Sequence, residues 1–173
     1  MSLSIYDVAI TPLLAGLSTL SRYLDKAEAY AADNKIDPAV LAGARLAPDM
    51  LPLAGQVQRA SDSAKAAVGR LTGLEVPSFA DTETTLAELK ERVAKTIAFV
   101  QSVPKEKFDG GESRPVELKF TEFTTTLRGD EFALRFLLPN FLFHIAAAHA
   151  ILRHNGMKIG KADYLTSFVG GVK

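Results

Sequence analysis

The stretch Pro139–Gly156, PNFLFHIAAAHAILRHNG, decides the fold. It begins with a proline, which suits a first helical turn, and ends at Asn155-Gly156, a pair typical of helix C-termini. Nearly every residue between these signals is apolar, as in a helix that lies in a protein core. We therefore predict that a buried final helix covers about Asn140–Asn155.

All three histidines of the chain lie in this helix, at positions 144, 149 and 154. Five residues correspond to a net rotation of about 140° on a helix with 3.6 residues per turn. The three imidazoles therefore point in different directions and cannot form one tridentate metal site. We interpret His149 and His154 as packing or surface residues, with His154 in the last turn, where a protonated imidazole favours the helix dipole.

The composition is that of one globular domain over residues 1–173. Basic and acidic residues balance at 20 each, so there is no electrostatic argument for binding to nucleic acid or to anionic membranes. The absence of cysteine excludes disulfides, thiolate nucleophiles and cysteine zinc sites. We find no uninterrupted apolar stretch of about 18 residues and no secretory signal, and we expect a cytoplasmic protein.

Apolar residues at helical spacing predict a helix in four further segments. Proline at position 12 predicts a kink or a late start in the first of them, and Asp37 and Asp81 are expected N-caps. Gly73 is an expected C-terminal stop, and Arg92 is expected to face solvent. The predicted helices are Leu3–Ala32, Ala39–Ala44, Pro48–Leu71 and Thr82–Val103.

Between these helices and the last one the period changes to two. Apolar residues alternate with polar ones in Val116–Phe120 and again in Phe132–Phe136, which predicts two strands. Arg128-Gly129-Asp130 is the expected turn, with an irregular piece near Glu122–Thr126. The tail Met157–Lys173 is expected to be a loop. The predicted fold class is therefore all-α, a four-helix bundle with a short β-hairpin inserted before the last helix.

Two polar residues, Asn140 and His144, lie four positions apart on the final helix and so share a face. Gln56 lies among apolar residues of the Pro48–Leu71 helix. Buried polar groups without partners cost about 1–3 kcal/mol each. Either these side chains are bonded to backbone or buried water, or they line a polar pocket between helices.

Several segments resemble the DinB/YfiT-like superfamily of helical bundles, and in particular a bacterial family known only as a domain of unknown function. The resemblance implies a four-helix bundle that is often dimeric. These segments are Pro48–Leu53 with Gln56-Val57, Ala64-Lys65 with Arg70–Gly73, Pro139–Phe141 with Phe143-His144, Leu152–Gly156, and Gly160–Leu165.

The resemblance also implies a divalent metal, such as zinc or nickel, held by three histidines. Those positions correspond here to Gln56, Asn140 and His144, so one imidazole and two neutral amides replace the expected ligands. Amides are weak ligands for zinc and nickel. We expect a degenerate site without a cofactor, in which His144 is the one candidate metal ligand.

Three functions remain open from the sequence. The first is a non-catalytic or ligand-binding bundle, in which a pocket lined by Gln56, Asn140 and His144 binds a small polar ligand or serves only the core. The second is a metal-dependent hydrolase or thiol transferase of the DinB-like kind, with His144 as ligand or general base. The third is an interaction module in which the hairpin Val116–Phe136 pairs across a homodimer.

Overall fold

A computed structural model describes residues 3–170, in which four long helices pack around one apolar core. The four predicted long helices are confirmed, with changes at their ends. A short helix, α2, follows the first of them. The bounds are α1 Thr11–Asp33, α2 Pro38–Gly43, α3 Leu53–Thr72, α4 Leu86–Ser102 and α6 Leu138–His154.

Local capping explains where several helices begin and end. A π-helical segment, Tyr6–Ile10, leads into α1. The irregularity predicted at Pro12 is therefore a change from π-helix to α-helix at the start of α1. The Asp37 carboxylate accepts the Ala39 N–H at 2.9 Å and caps α2, as predicted. Gly73 ends α3 with a φ of +80°, which favours glycine.

Two predicted helix starts are wrong. Helix α3 begins at Leu53 rather than at Pro48, because Pro52 has an extended backbone. Asp49 therefore lies in a turn before the helix and not in its first turn. Helix α4 begins at Leu86, where Thr85 and Glu88 form a capping box. Asp81 is accordingly not an N-cap.

The predicted hairpin exists, but its second strand was misplaced. Strand β1, Pro115–Lys119, pairs antiparallel with β2, Thr124–Arg128, so that Val116 lies opposite Leu127. Glu122–Thr126, expected to be irregular, thus contributes to the turn and to β2. Phe132–Phe136 is helical instead, in α5 (Gly129–Phe132) and the π-helical segment Ala133–Leu137.

Helical packing overrides the two-residue alternation of Phe132–Phe136. Phe132, Ala133 and Leu137 are buried together, whereas Leu134 and Arg135 are exposed. A strand would have placed residues 132, 134 and 136 on one face, so the burial pattern is that of a helix. Helix α5, the π-helical segment and α6 follow one another without a break, and we call Gly129–His154 the long helix.

The tail, predicted to be a loop, contains a helix. Helix α7, Lys161–Val169, begins after Gly160, whose N–H donates to the Asp163 carboxylate at 2.8 Å. It packs on α1. The last three residues of the expected loop lie outside the described residues.

The long helix is a core helix on one side. By length and composition alone it could cross a membrane, with a mean hydropathy of 1.3 in its most apolar window. Its inner face, however, packs against α1 and α3. That face buries Phe141, Ile145, Ala148, Ile151 and Leu152.

Candidate functional site

The interface between α3 and α6 brings two of the three predicted site residues into direct contact. Gln56 lies on α3 and is 2% exposed, and His144 lies half-buried on α6. The Gln56 Oε1 atom and the His144 Nδ1 atom are 2.8 Å apart. The resemblance had assigned Gln56 and His144 to one site, and the two side chains are in contact. The predicted role of this pair in ligand binding stays a prediction.

The hydrogen bonds of Gln56 determine which nitrogen of His144 carries the proton. Gln56 Nε2 donates to the Leu51 carbonyl at 3.2 Å, and a carbonyl can only accept. The amide oxygen of Gln56 therefore faces the imidazole, so the neutral ring must donate from Nδ1. This tautomer leaves the lone pair on His144 Nε2.

His144 Nε2 has no hydrogen-bond partner among the described residues and is not a fully buried atom. Within residues 3–170, the buried side-chain nitrogens and oxygens that lack a partner are Arg22 Nε and Arg92 Nε. His144 Nε2 is not one of them, and the hydrogen bond of this ring is made through Nδ1. Gln56 thus orients the imidazole through Nδ1 and leaves Nε2 of the same ring without a protein partner.

Asn140, the third predicted residue, has a different partner. Its Nδ2 donates to Ser63 Oγ at 2.9 Å, and Ser63 Oγ donates its own proton to the Arg59 carbonyl at 2.7 Å. Because the serine proton is used in this way, Ser63 must accept from the amide nitrogen of Asn140. Asn140 Oδ1 is therefore turned away from Ser63 and is not a buried orphan among the described residues.

The site consequently presents two hydrogen-bond acceptors, His144 Nε2 and Asn140 Oδ1. They lie one helical turn apart on α6, where side chains at positions i and i+4 are about 5–6 Å apart at Cβ. Such a pair is complementary to a small molecule with hydroxyl or amino donors.

Burial is the main cause that lowers the pKa of His144 below its ordinary value of 6.5, and the positive charge of Arg59 lowers it further. The imidazole is accordingly neutral near pH 7. A neutral ring with a free lone pair accepts a hydrogen bond or a proton, which suits the acceptor role assigned to Nε2.

The donor set does not fit the divalent metal that the resemblance implied. Gln56 uses its oxygen to orient His144, and Asn140 uses its nitrogen to hold Ser63. Among residues 3–170, no group of three or more histidine and carboxylate side chains is placed to hold a metal ion. One imidazole nitrogen and one amide oxygen are a poor set for zinc or nickel.

The other two histidines lie away from this pair. His149 is half-buried, and its Nδ1 lies 2.6 Å from the Tyr23 hydroxyl. Burial lowers the pKa of His149, although the negative charge of the nearby Asp163 acts in the opposite direction. His154 is exposed near the end of α6.

The histidine environments predict a pH dependence of stability. The pKa values of His144 and His149 are lowered in the folded state, so the unfolded chain binds protons more readily. Each neutral histidine should contribute its full stabilisation above pH 6.5, the ordinary pKa. This contribution should be lost as the pH falls through the lower pKa values of the folded state. Urea unfolding at about pH 7.5 and about pH 5.5 measures the loss.

The variant His144→Gln/His149→Gln isolates this contribution. It should show a smaller difference in unfolding free energy between the two pH values than the wild type. An equal or larger difference in the variant would contradict the assignment, because no other change separates the proteins.

A second polar cluster was missed by the sequence analysis. It joins α3, α4 and the segment between them, and we call it the Arg92 cluster. Its three cations and three anions balance in formal charge. The members are Arg59, Asp62, Lys65, Asp81, Glu83 and Arg92.

Arg92, expected to face solvent, has a side chain that is only 1% exposed and lies at the centre of the cluster. Its Nη1 donates to Glu83 and to the Ala80 carbonyl, each at 2.9 Å. Its Nη2 lies 2.8 Å from Asp62 and 3.0 Å from Asp81. Asp81, an expected N-cap, and Glu83 instead hold the segment before α4 against the bundle.

A sequence signal for this burial existed. Arg92 lies three residues after Leu89 and four before Thr96, both of which are buried, so it falls within the apolar stripe of α4. A cleft of about 340 Å³ adjoins the cluster, with Phe79, Glu83 and Arg92 in its lining. That cleft does not include the His144 pair.

Comparisons with known proteins agree with this architecture. A crystal structure described as a DinB family member protein from Shewanella denitrificans superimposes with a TM-score of 0.85 at 38% identity, covering 97% of this chain and 92% of that chain. A search of the curated proteins finds no match. A family profile, described as Domain of unknown function (DUF1993), matches residues 5–165. The match covers nearly the whole chain, so the protein belongs to the DUF1993 family and has the DinB-like helical fold.

Proposed function

We propose that this protein binds a small polar molecule bearing hydroxyl or amino donors, through His144 Nε2 and Asn140 Oδ1 and without a bound metal. The observation that supports the proposal is the chain of hydrogen bonds from the Leu51 carbonyl through Gln56 to His144 Nδ1. A side chain on a buried scaffold holds the imidazole in one tautomer and leaves its Nε2 lone pair without a protein partner, which is the arrangement of a preorganised acceptor.

The tautomer can be measured directly. Two-bond ¹H–¹⁵N correlation spectra at neutral pH should show His144 protonated at Nδ1. The variant Gln56→Leu removes the acceptor that favours this tautomer, so the His144 signals should shift toward the Nε2-protonated form. Gln58→Leu is the matched control, because Gln58 lies on the same helix but donates to Glu83.

Ligand binding is tested by titrating glycerol, ethanolamine and a panel of diols while the His144 ring signals are followed. We expect at least one probe to shift these signals in the wild type and to lose its effect in Asn140→Leu. If every probe acts equally on the wild type and on Asn140→Leu, the two acceptors do not form one site.

The absence of a metal from the working site is tested by calorimetric titration with zinc and with nickel. We expect no tight one-to-one binding. Tight binding that disappears in His144→Ala would overturn the proposal and would favour the metal-dependent enzyme considered from the sequence.

A further inference from the structure

Helix α7 is held on the bundle mainly by polar contacts. Of its nine residues only Ser167 is buried, and among its apolar side chains only the half-buried Tyr164 packs against the core. The Asp163 carboxylate forms an ion pair with Lys26 of α1, and Arg22 Nη2 donates to the Asp163 carbonyl at 2.8 Å. An element with so few buried apolar contacts opens at a low cost in free energy.

The start of α7 has the properties of a hinge. Met157 and Ile159 are buried and anchor the chain just before the helix. Gly160 follows them with an ordinary extended backbone, and a Cβ atom built there would meet nothing within 4 Å. Neither close packing nor a positive φ therefore requires glycine at this position. Its backbone freedom suits a joint between an anchored segment and a loosely held helix.

A small cavity beside α7 contains a cation with an unused donor. The cavity has a volume of about 40 Å³ and is lined by Arg22, Tyr23, Lys26 and Asp163. The Arg22 Nε atom is buried and lacks a hydrogen-bond partner among residues 3–170, and no carboxylate in that range forms an ion pair with its guanidinium. Two cations and one carboxylate thus line the same cavity, and Arg22 retains a donor for a further acceptor.

The surroundings of the hinge are also basic, although the chain has no formal net charge. An open cleft of about 730 Å³ is lined there by Arg153, Lys158 and Gly160. Cations placed together in a neutral protein raise the local potential and attract anions. Asp163 is the acidic residue of α7. Its hydrogen bonds with Lys26 and with the Gly160 N–H hold the pKa of this carboxyl below its ordinary value, so it is ionised near neutral pH.

We propose that Arg22 and Lys26 form a binding site for a small molecule bearing a carboxylate or a phosphate, and that α7 is a hinged lid whose Asp163 occupies this site when the ligand is absent. The cavity has room for a water-sized group, which takes about 30 Å³, but not for such a molecule. Binding therefore requires α7 to swing outward about Gly160. A ligand that binds only the open form shifts the population toward it. The site is separate from that of the proposed function, whose failure would leave it untouched.

Hydrogen exchange of the α7 amides tests the lid, with inorganic phosphate and acetate as probes and sodium chloride at equal ionic strength as the reference. At least one probe should speed exchange across residues 161–169 beyond the chloride value and shift the Arg22 Nε–H signal. The probe with the larger effect identifies the anionic group. Equal exchange in chloride, phosphate and acetate would overturn the proposal.

Substitution of the hinge glycine tests the motion without a ligand. Gly160→Ala should slow exchange of the α7 amides about two- to fivefold in chloride, because alanine removes backbone freedom that opening requires. Gly43→Ala is the matched control, since a Cβ atom there also meets nothing within 4 Å but the residue ends α2. Unchanged exchange in Gly160→Ala would rule out the hinge.

Two substitutions of the ion pair separate opening from binding. Asp163→Asn removes the competing charge and keeps an oxygen for the Gly160 N–H. It should speed α7 exchange and raise the affinity for the more effective probe about two- to fivefold, the equivalent of one exposed ion pair. Lys26→Met should also speed exchange, but it should lower the affinity.

Lys161→Met is the matched control for both variants, because Lys161 is an exposed cation in the first turn of α7, and it should change neither quantity measurably. Far-UV circular dichroism confirms that each variant is folded. The proposal is wrong if Asp163→Asn binds the probe no more tightly than the wild type, or if Lys26→Met binds it as tightly as the wild type.

Discussion

Replacement of Arg92 by methionine is expected to lower the free energy of unfolding by about 3 kcal/mol. Loss of one partner from a buried ion pair costs about 3–5 kcal/mol, since the remaining charge is left without compensation. The value should lie at the lower end here, because Asp62 and Asp81 are 35% and 40% exposed and can be rehydrated. Glu83, at 13%, has the least access to water. Urea unfolding at neutral pH measures the change.

The pKa of Glu83 supplies a second readout. Burial alone would raise it, but the hydrogen bonds from Arg92 and Gln58 outweigh burial and keep it below its ordinary value. In Arg92→Met the pKa of Glu83 should therefore rise. Stability at neutral pH should then increase again in Arg92→Met/Glu83→Gln, which removes the unpaired carboxylate.

Two comparisons make the Arg92 prediction specific. Lys95→Met removes an exposed cation one turn away, whose ion-pair partner within residues 3–170 is Glu91, and it should change stability little. Arg92→Lys keeps the charge but loses the planar fork that reaches three carboxylates and a carbonyl. The free energy of unfolding of this variant should lie between those of the wild type and Arg92→Met. Equal losses in Lys95→Met and Arg92→Met would contradict a special role for the buried guanidinium.

The long helices could be predicted from the sequence because local rules determine them. The apolar stripe and Gly73 were enough to place the end of α3, and Asp37 was enough to place the start of α2. The segment Phe132–Phe136 could not be assigned in this way. Its alternation fits a strand, and only packing against the core selects the helix.

The contact between Gln56 and His144 could be anticipated from the sequence, but the hydrogen bonds of the three candidate residues could not. Spacing on the final helix and resemblance to related bundles selected Gln56, Asn140 and His144. The orienting role of Gln56 depends on the Leu51 carbonyl, whose position follows from the turn before α3. Similarly, the Arg92 cluster depends on how the segment before α4 crosses the bundle, and no local pattern encodes that path.

Replacement of Gly129 by alanine adds only one methyl group, but it is expected to lower the free energy of unfolding strongly. Gly129 begins the long helix, and a Cβ atom built there would lie 1.9 Å from the Gly111 carbonyl oxygen and 3.1 Å from Leu71 Cδ2. Real Cβ atoms do not approach a backbone oxygen so closely, and a backbone cannot move aside as a side chain can. Overpacking typically costs about 1–3 kcal/mol, and we expect about 3 kcal/mol here.

Gly43→Ala provides the matched control for this substitution. Gly43 ends α2, and a Cβ atom at this position would meet nothing within 4 Å. Alanine is the better helix former, so this variant should be neutral or slightly more stable. Since Gly129 also joins β2 to the long helix, its replacement should shift the hairpin signals in a ¹H–¹⁵N spectrum. A Gly129→Ala protein as stable as Gly43→Ala would show that the two backbones do not approach as closely as described.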